Sequence, residues 1–296
     1  MIVAVCSLSG APGVTSLATA LAACWPSTPL TVPVLVEADA SGGDITSWHG
    51  IGLHGDAGLV SLAAASRASV PVPPPVSAEA WAQAGVRDAV SAGVPLLRHA
   101  VELPGGLRAV PAPADPLEAG RAVDALARSP HLLKSGRATV VDVGRAVPGS
   151  AGAALLRHAD AAVVLTEPGD VGSATRLRVC APVLASLRQE GVRVGLAVAG
   201  ACPHADSEVS RVASALPVWA RVPHDPVGAA LVRGEHRPPT RLRDRMAAWR
   251  SQHRDPDGLE WMPLIRAAKA LAELCDDFSG IGMASGARNA VEVSAA

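Results

Sequence analysis

Short apolar runs rich in Val, Ile and Leu alternate along this chain with longer stretches in which Ala and Leu recur at helical spacing. Continuous apolar runs are typical of strands buried on both faces, and the intervening stretches predict the helices that cover those faces. The predicted strands are 2–6, 33–37, 107–111, 138–142, 161–166, 192–198 and 218–222. This alternation predicts an α/β fold with a doubly wound, mostly parallel sheet of about seven strands.

The intervening stretches predict helices at 15–24, 58–65, 116–128, 150–158, 171–190 and 206–215, with a short helix ending at 232. One interval departs from the alternation. Residues 66–106 contain VPVPPPV followed by AEAWAQAGVRDAV, which predicts a proline-stiffened loop and one extra helix. An arginine-rich stretch, 233–254, is expected to run over the surface.

The last part of the sequence predicts one more helix and a tail. A last helix is predicted at 258–275, and its apolar residues recur every three or four positions, which gives it a face that docks on the domain. Residues 279–296 are rich in Gly, Ala and Ser and are expected to be a disordered tail. We therefore expect a single domain over residues 1–278.

Composition excludes several functional classes. The chain has 26 basic and 27 acidic residues, so its net charge of −1 creates no overall field toward nucleic acid or an anionic membrane. Its five cysteines are widely spaced and form no C-x-x-C pair, which argues against a disulfide framework or zinc site and favours a reducing cytoplasm. The opening apolar run is short and lacks preceding basic residues, so it predicts a strand rather than a signal peptide. No run approaches the ~20 apolar residues of a membrane span.

The segment SLSGAPGVTS directly follows the first predicted strand. Gly10 and Gly13 allow the backbone to turn its N–H groups inward, and the following helix N-terminus favours a negative charge, so this geometry suits a phosphate. Thr15 stands where a hydroxyl would bind magnesium. The same pattern also fits a tight strand-to-helix turn that Thr15 or Ser16 caps.

Carboxylates follow two other predicted strands. The second strand ends in VLVEADASGGD, which places Glu37, Asp39 and Asp44 at the carboxyl edge of the sheet, where open α/β folds bind ligands. The fourth ends in VVDVGR, so Asp142 lies at the same edge and is followed by Arg145. These carboxylates suit metal binding or orientation of water, although Asp side chains at such positions also cap loops and helices.

Together these segments resemble the MinD/ParA group of P-loop ATPases. S-G-A-P-G-V-T-S, from Ser9 to Ser16, matches that group's deviant phosphate loop K-G-G-x-G-K-T-[TS]. EADASGGD is similar to its switch I segment, and VVDVG to the strand that bears the metal-side aspartate and leads into switch II. HADAAVVLTEPGDVGSATRLR and LPVWARVPHDPVGAALVRGE resemble later blocks of the family. LPGGLRAVPAPADPLEA resembles the CpaE/TadZ-like subgroup associated with Tad pilus and related secretion machines.

The resemblance implies a role for each matched residue. It places ATP or ADP against Gly10, Ala11, Pro12, Gly13, Val14, Thr15, Ser16, Pro223 and Asp225. It implies Mg²⁺ binding by Thr15, Asp39 and Asp142, with Asp39 as the catalytic aspartate.

Three departures separate the chain from this pattern. Ser9 replaces the signature lysine, Val14 replaces the lysine that contacts the β- and γ-phosphates, and Ala199-Gly200 replaces the usual base-reading Asn. Each lost charge-assisted hydrogen bond is worth roughly 1.5 to 3 kcal/mol, so the two lysines together weaken triphosphate binding by on the order of a hundredfold or more. We therefore expect weak binding of ATP/ADP and Mg²⁺, or none. Arg145 is the nearby cation that the sequence offers for catalysis.

Three functional hypotheses follow. In the first, the chain is a cytoplasmic adaptor or regulator that acts through protein partners in positioning or assembling a cell-envelope, septum or Tad-pilus machine, with any homodimer less dependent on ATP. In the second, it is a weak but active ATPase in cell division or partitioning. In the third, the arginine-rich stretch binds DNA phosphates, which the neutral overall charge makes unfavourable. Membrane contact is expected only peripherally, through partners.

Overall fold

The first apolar run of the chain forms the central strand of the sheet. The computed structural model describes residues 1–10, 13–26, 33–66, 95–135, 138–169, 171–235, 246 and 259–278. In it β1 (Ile2–Ser7) is buried along its whole length. Parallel strands β5 (Thr139–Arg145) and β6 (Ala161–Thr166) flank it on either side. Ser7 consequently meets Arg145 at the carboxyl end of the β1–β5 pair.

The sheet has eight strands, in the order β3-β4-β2-β5-β1-β6-β7-β8. The remaining strands are β2 (Val34–Glu37), β3 (Val101–Glu102), β4 (Arg108–Val110), β7 (Arg193–Ala199) and β8 (Val218–Val222). All pairs are parallel except β3 with β4, which are antiparallel. The doubly wound α/β prediction is therefore confirmed, with one strand more than expected. The pattern missed β3 because it is a two-residue edge strand without a buried face.

Ten α-helices lie among the described residues. They are α1 (Val14–Ala23), α2 (Ile45–His49), α3 (Gly58–Ala65), α4 (Pro95–Arg98), α5 (Pro116–Arg128), α6 (Ala151–Leu156), α7 (Val171–Gln189), α8 (Asp206–Val212), α9 (Pro226–Val232) and α10 (Pro263–Phe278). The extra helix predicted within 66–106 falls on residues 78–90, which lie outside the described residues, as does the predicted tail. None of the described helices is long and apolar enough to cross a membrane.

Two apolar layers hold the helices on opposite faces of the sheet. On one face, α3, α5, α6 and α7 bury leucines such as Leu62, Leu126 and Leu184. On the other, α1 and α10 pack together through Leu21 and Leu271. The last helix begins at Pro263 rather than at 258, and its apolar stripe lies against α1. Because α1 is fixed between β1 and α10, its N-terminus is held at the carboxyl edge of the sheet.

Candidate functional site

The turn between β1 and α1 has the backbone conformation that its glycines permit. Gly10 and Gly13 both have left-handed φ angles, of 61° and 89°, which side-chain-bearing residues rarely adopt. The Ser7 hydroxyl donates a 2.8 Å hydrogen bond to the Gly10 carbonyl and steadies the turn. Ala11 and Pro12 lie outside the described residues.

The N-terminus of α1 is not capped by a side chain. Gly13 is the N-cap residue, and no side-chain hydrogen bond caps the helix at this position. The amide groups of the first turn, from Val14, Thr15 and Ser16, therefore have neither intrahelical partners nor a side-chain cap. Thr15 and Ser16 do not act as caps, so the alternative of a self-capped turn is not what this structure shows. An uncapped helix N-terminus after a glycine turn favours an anion.

Val14 faces the protein interior. Its side chain is only 2% exposed and packs in the apolar layer that contains Leu17, Leu21 and Ile265. The residue at this position therefore contributes to the core and brings no charge to the turn. Ser9, the other substituted position, is half-buried.

Asp142 offers an unpaired oxygen in the interior of the site. The residue is fully buried, and its Oδ1 accepts a 2.9 Å hydrogen bond from the Gly144 amide. Oδ2 is buried without a hydrogen-bond partner among the described residues. The pKa of Asp142 is raised to about 6, chiefly by burial and to a lesser extent by the charges of Asp39 and Asp44, while the Thr15 hydroxyl and the Gly144 amide favour the charged form. A buried, unpaired carboxylate oxygen beside a threonine hydroxyl fits a magnesium ion, which prefers oxygen ligands.

Asp39 lies against the backbone at the end of β5. Its Oδ1 accepts a 2.7 Å hydrogen bond from the Ser41 amide. A Cβ atom at Gly144, whose φ is 62°, would overlap the Asp39 carboxylate, so this contact requires glycine. Asp39, Asp142 and Thr15 therefore lie close together at this edge of the sheet. Arg145 is exposed at the same edge, beside Ser7 in the strand register.

The Glu37 carboxylate binds backbone amides and does not join Asp39 on the ligand side of the sheet edge. Its side chain is buried, Oε1 accepts hydrogen bonds from the amides of Asp44 (2.7 Å) and Ile45 (3.2 Å), and Oε2 accepts one from Ala112 (2.9 Å). Burial raises the pKa of Glu37 to about 7, although these three amides stabilise its charged form. Glu37 thus ties the loop that contains Asp39 to the end of β4 and does not face the ligand side. Asp44, the third carboxylate of this segment, is exposed.

A cavity of about 510 Å³ extends from the turn along the carboxyl ends of β6, β7 and β8. Gly13 and Ser16 lie at one end, and Ala199, Gly200 and Pro223 form part of the rest of its wall. Its size is within the range of small-molecule and cofactor sites. A ligand with phosphates at the helix N-terminus would have its remaining part in this cavity.

Asp225 shapes this cavity through the backbone. Its Oδ1 accepts from the Gly228 amide at 2.9 Å and its Oδ2 accepts from the Leu264 amide at 3.0 Å. The side chain therefore caps α9 and also fixes the first turn of α10. Both carboxylate oxygens are engaged, so Asp225 lines the cavity but already has backbone partners.

We expect Asp225→Ala to lower the free energy of unfolding by about 2 kcal/mol, since one cap is worth about 1 kcal/mol and this residue caps two helices. Asp115→Ala is the matched control, because Asp115 caps α5 alone. Urea denaturation followed by circular dichroism measures both. An equal loss for the two variants would contradict the double role of Asp225.

Two charged side chains in the described cavity wall were not among the predicted site residues. Glu167 directly follows β6, and Arg233 follows α9. The Arg233 guanidinium forms an ion pair with Glu235 at 3.0 Å and lies 6.0 Å from the centre of the Trp48 ring. Glu167 could have been found from its position at the carboxyl end of a strand adjacent to β1, whereas Arg233 has no such signal within an arginine-rich stretch.

The glycine turn, the uncapped helix and the carboxylates lie together at the carboxyl edge of a parallel α/β sheet. The fold is similar to that of solved ParA and MinD ATPases. A ParA family ATPase from Chlorobium tepidum is similar over 92% of this chain and 98% of its own, with a TM-score of 0.60 and 15% identity. The septum site-determining protein MinD from Pyrococcus horikoshii, solved with Mg-ADP, is similar over 95% and 97%, with a TM-score of 0.59 and 17% identity. The Cyanothece McdA(D38A)-ATP complex is similar over 98% of both chains, with a TM-score of 0.54 and 15% identity. No protein-family model matches the sequence, and no curated protein matches it significantly.

Proposed function

We propose that this chain is a MinD/ParA-like adaptor or regulator that binds nucleotide weakly. It would act in the cytoplasm, through protein contacts, in the positioning or assembly of a cell-envelope machine such as the septum or a Tad-pilus secretion apparatus. The observation that supports this most directly is the burial of Val14 in the core, at the position where the family resemblance expects a phosphate-binding lysine.

The retained half of the site supports nucleotide binding. The uncapped amides of α1 would bind phosphate oxygens, and Thr15 with the unpaired oxygen of Asp142 would hold Mg²⁺. Bound magnesium would neutralise phosphate charge. Asp39, which lies against Gly144, would orient water. The structures of P. horikoshii MinD with Mg-ADP and of Cyanothece McdA(D38A) with ATP are consistent with nucleotide in this fold.

The absence of lysine at positions 9 and 14 limits hydrolysis. Phosphoryl transfer depends almost entirely on positive charge and hydrogen-bond donors around the transferring group, and neither Ser9 nor Val14 supplies a charge. Weak binding with little turnover suits a protein whose output is an interaction rather than a reaction.

Two observations support a protein partner. The helix α7 exposes Val171, Val179 and Val183, with Val171 85% and Val179 69% exposed, which is unusual for an aliphatic stripe without a partner. A MinC:MinD complex from Aquifex aeolicus is among the similar structures, with a TM-score of 0.50 and 14% identity. The LPGGLRAVPAPADPLEA segment favours a pilus or secretion machine as the setting. A homodimer would depend less on ATP than a lysine-containing relative.

The second candidate is a weak but active ATPase of the division or partitioning type. It is favoured by the joint presence of Asp39, Asp142 and Thr15, with Arg145 exposed at the same edge as a replacement cation. The DNA-binding hypothesis rests on the stretch 233–254, most of which lies outside the described residues.

Titration of the purified protein with Mg-ATP separates the two candidates. For the adaptor we expect a dissociation constant of about a millimolar or weaker, and phosphate release no faster than in the Asp142→Ala variant. Isothermal titration calorimetry and a coupled phosphate assay measure these quantities. Micromolar affinity together with turnover above the Asp142→Ala background would instead establish the ATPase.

A further inference from the structure

Glu167 places a free carboxylate in the wall of the cavity that continues from the phosphate turn. The residue follows β6 directly and is exposed to the cavity opening. Its carboxylate makes no hydrogen bond or ion pair with any residue that the structure describes. It is therefore available to a ligand, in contrast to the buried Glu37.

The neighbouring backbone is adapted to this side chain. Gly200, at the end of β7, has a left-handed φ of 69°, and a Cβ atom there would approach Glu167 Oε1 to 2.7 Å. The Gly200 amide donates to the Val222 carbonyl at 3.0 Å, which fixes the glycine beside β8. A larger residue at 200 would be strained by this φ and would push the flexible end of Glu167 aside, so glycine at 200 leaves the carboxylate in its present position.

The other charged groups described around this cavity are already engaged. Asp225 accepts two backbone amides, and Arg233 is paired with Glu235. Of the two acidic side chains in the described wall, Asp225 has hydrogen-bond partners for both carboxylate oxygens and Glu167 has no partner among the described residues. With phosphates at the α1 N-terminus beside Gly13 and Ser16, the base of a nucleotide would lie toward Ala199, Gly200 and Pro223, where Glu167 stands.

We propose that this cavity selects guanine over adenine, with Glu167 as the specificity-determining residue; the proposal rests on the nucleotide binding proposed above. Guanine presents two adjacent donors, N1–H and the 2-amino group, which match the two oxygens of a carboxylate. Adenine presents one donor, its 6-amino group, beside the acceptor N1, which a carboxylate repels. A site built around a hydrogen-bonding group discriminates strongly against a ligand that lacks the complementary group.

The test compares GDP, IDP and ADP, each with Mg²⁺, by chemical-shift titration of the full-length protein. We expect GDP to bind roughly tenfold or more tightly than ADP, since one charge-assisted hydrogen bond is worth about that factor. IDP keeps N1–H but lacks the 2-amino group, and it should bind with intermediate affinity. Equal affinities for the three, or a preference for ADP, would overturn the base selection while leaving nucleotide binding intact.

Two variants complete the test. Glu167→Gln replaces one acceptor oxygen with a donor and should reduce the preference for GDP to less than about threefold without weakening ADP. Glu273→Gln, an equally exposed glutamate on α10 away from the cavity, is the matched control and should keep the preference. An unchanged preference in Glu167→Gln would overturn the role of Glu167. Failure of all three nucleotides to bind would overturn the proposed nucleotide site and the base selection with it.

Discussion

Replacing Ser9 and Val14 together with lysine is expected to strengthen binding of Mg-ATP by roughly tenfold or more. The described part of the turn already suits phosphates: Gly10 and Gly13 have left-handed angles, and no side chain caps the first turn of α1. The two ammonium groups would add the charge that the native residues lack. Isothermal titration calorimetry of the double variant beside the native protein measures the gain.

The burial of Val14 decides how this experiment is controlled. A lysine at this position must extend its chain out of the apolar layer, and that costs some stability, so the melting temperature of each variant is measured first. Ser9→Lys alone changes a half-buried position, and it should fold normally and give part of the gain.

Val179→Lys with Val212→Lys is the control for charge. It adds the same two charges at exposed positions on α7 and α8, and should leave ATP affinity unchanged. If the double lysine variant at positions 9 and 14 folds but binds no better than this control, the turn is not a phosphate site.

Several parts of the fold and site could be predicted from the sequence because they depend on local pattern. The runs that became β1, β2, β5 and β6 are continuous and apolar; Asp39 lies two residues beyond β2, and Asp142 lies within β5. Parallel strands bring such ends to one edge, so the convergence of Asp39, Asp142 and Thr15 followed from order alone. β3 was missed because two edge residues leave no periodic pattern.

The parts that could not be predicted depend on contacts distant in the chain. Glu37 lies two residues before Asp39 and has the same chemistry, but its third amide partner is Ala112, 75 residues away. Asp225 was expected to contact the nucleotide, and its second backbone partner is Leu264, 39 residues away. No local pattern encodes either pairing, and each gives the side chain a structural role that its position in the sequence does not indicate. The space for the Glu167 carboxylate also depends on a residue distant in the chain, because Gly200 lies beside it.

Replacing Glu37 with alanine is expected to lower the free energy of unfolding by about 3 kcal/mol or more. The variant leaves three amides without their acceptor, those of Ile45 and Ala112 in buried hydrogen bonds and that of Asp44 in a partly buried one, and each unsatisfied buried group costs about 1 kcal/mol or more. Glu118→Ala, at an exposed position on α5, is the control and should cost little. Urea denaturation at constant pH gives both values.

The pH dependence tests the same residue without deleting it. Since the pKa of Glu37 is raised to about 7 in the folded protein, the folded state holds a proton that the unfolded chain releases near its ordinary value of 4.5. This contribution to stability is therefore complete below about pH 4.5 and is lost as the pH rises through 7. Glu37→Gln cannot titrate, so between pH 5 and 8 its unfolding free energy should fall less than that of the native protein, by on the order of 3 kcal/mol. Asp142 is present in both proteins, and its charge contributes to the raised pKa of Glu37. Parallel pH profiles would show that Glu37 is already ionised at acidic pH, and that its three amide bonds outweigh the effect of its burial.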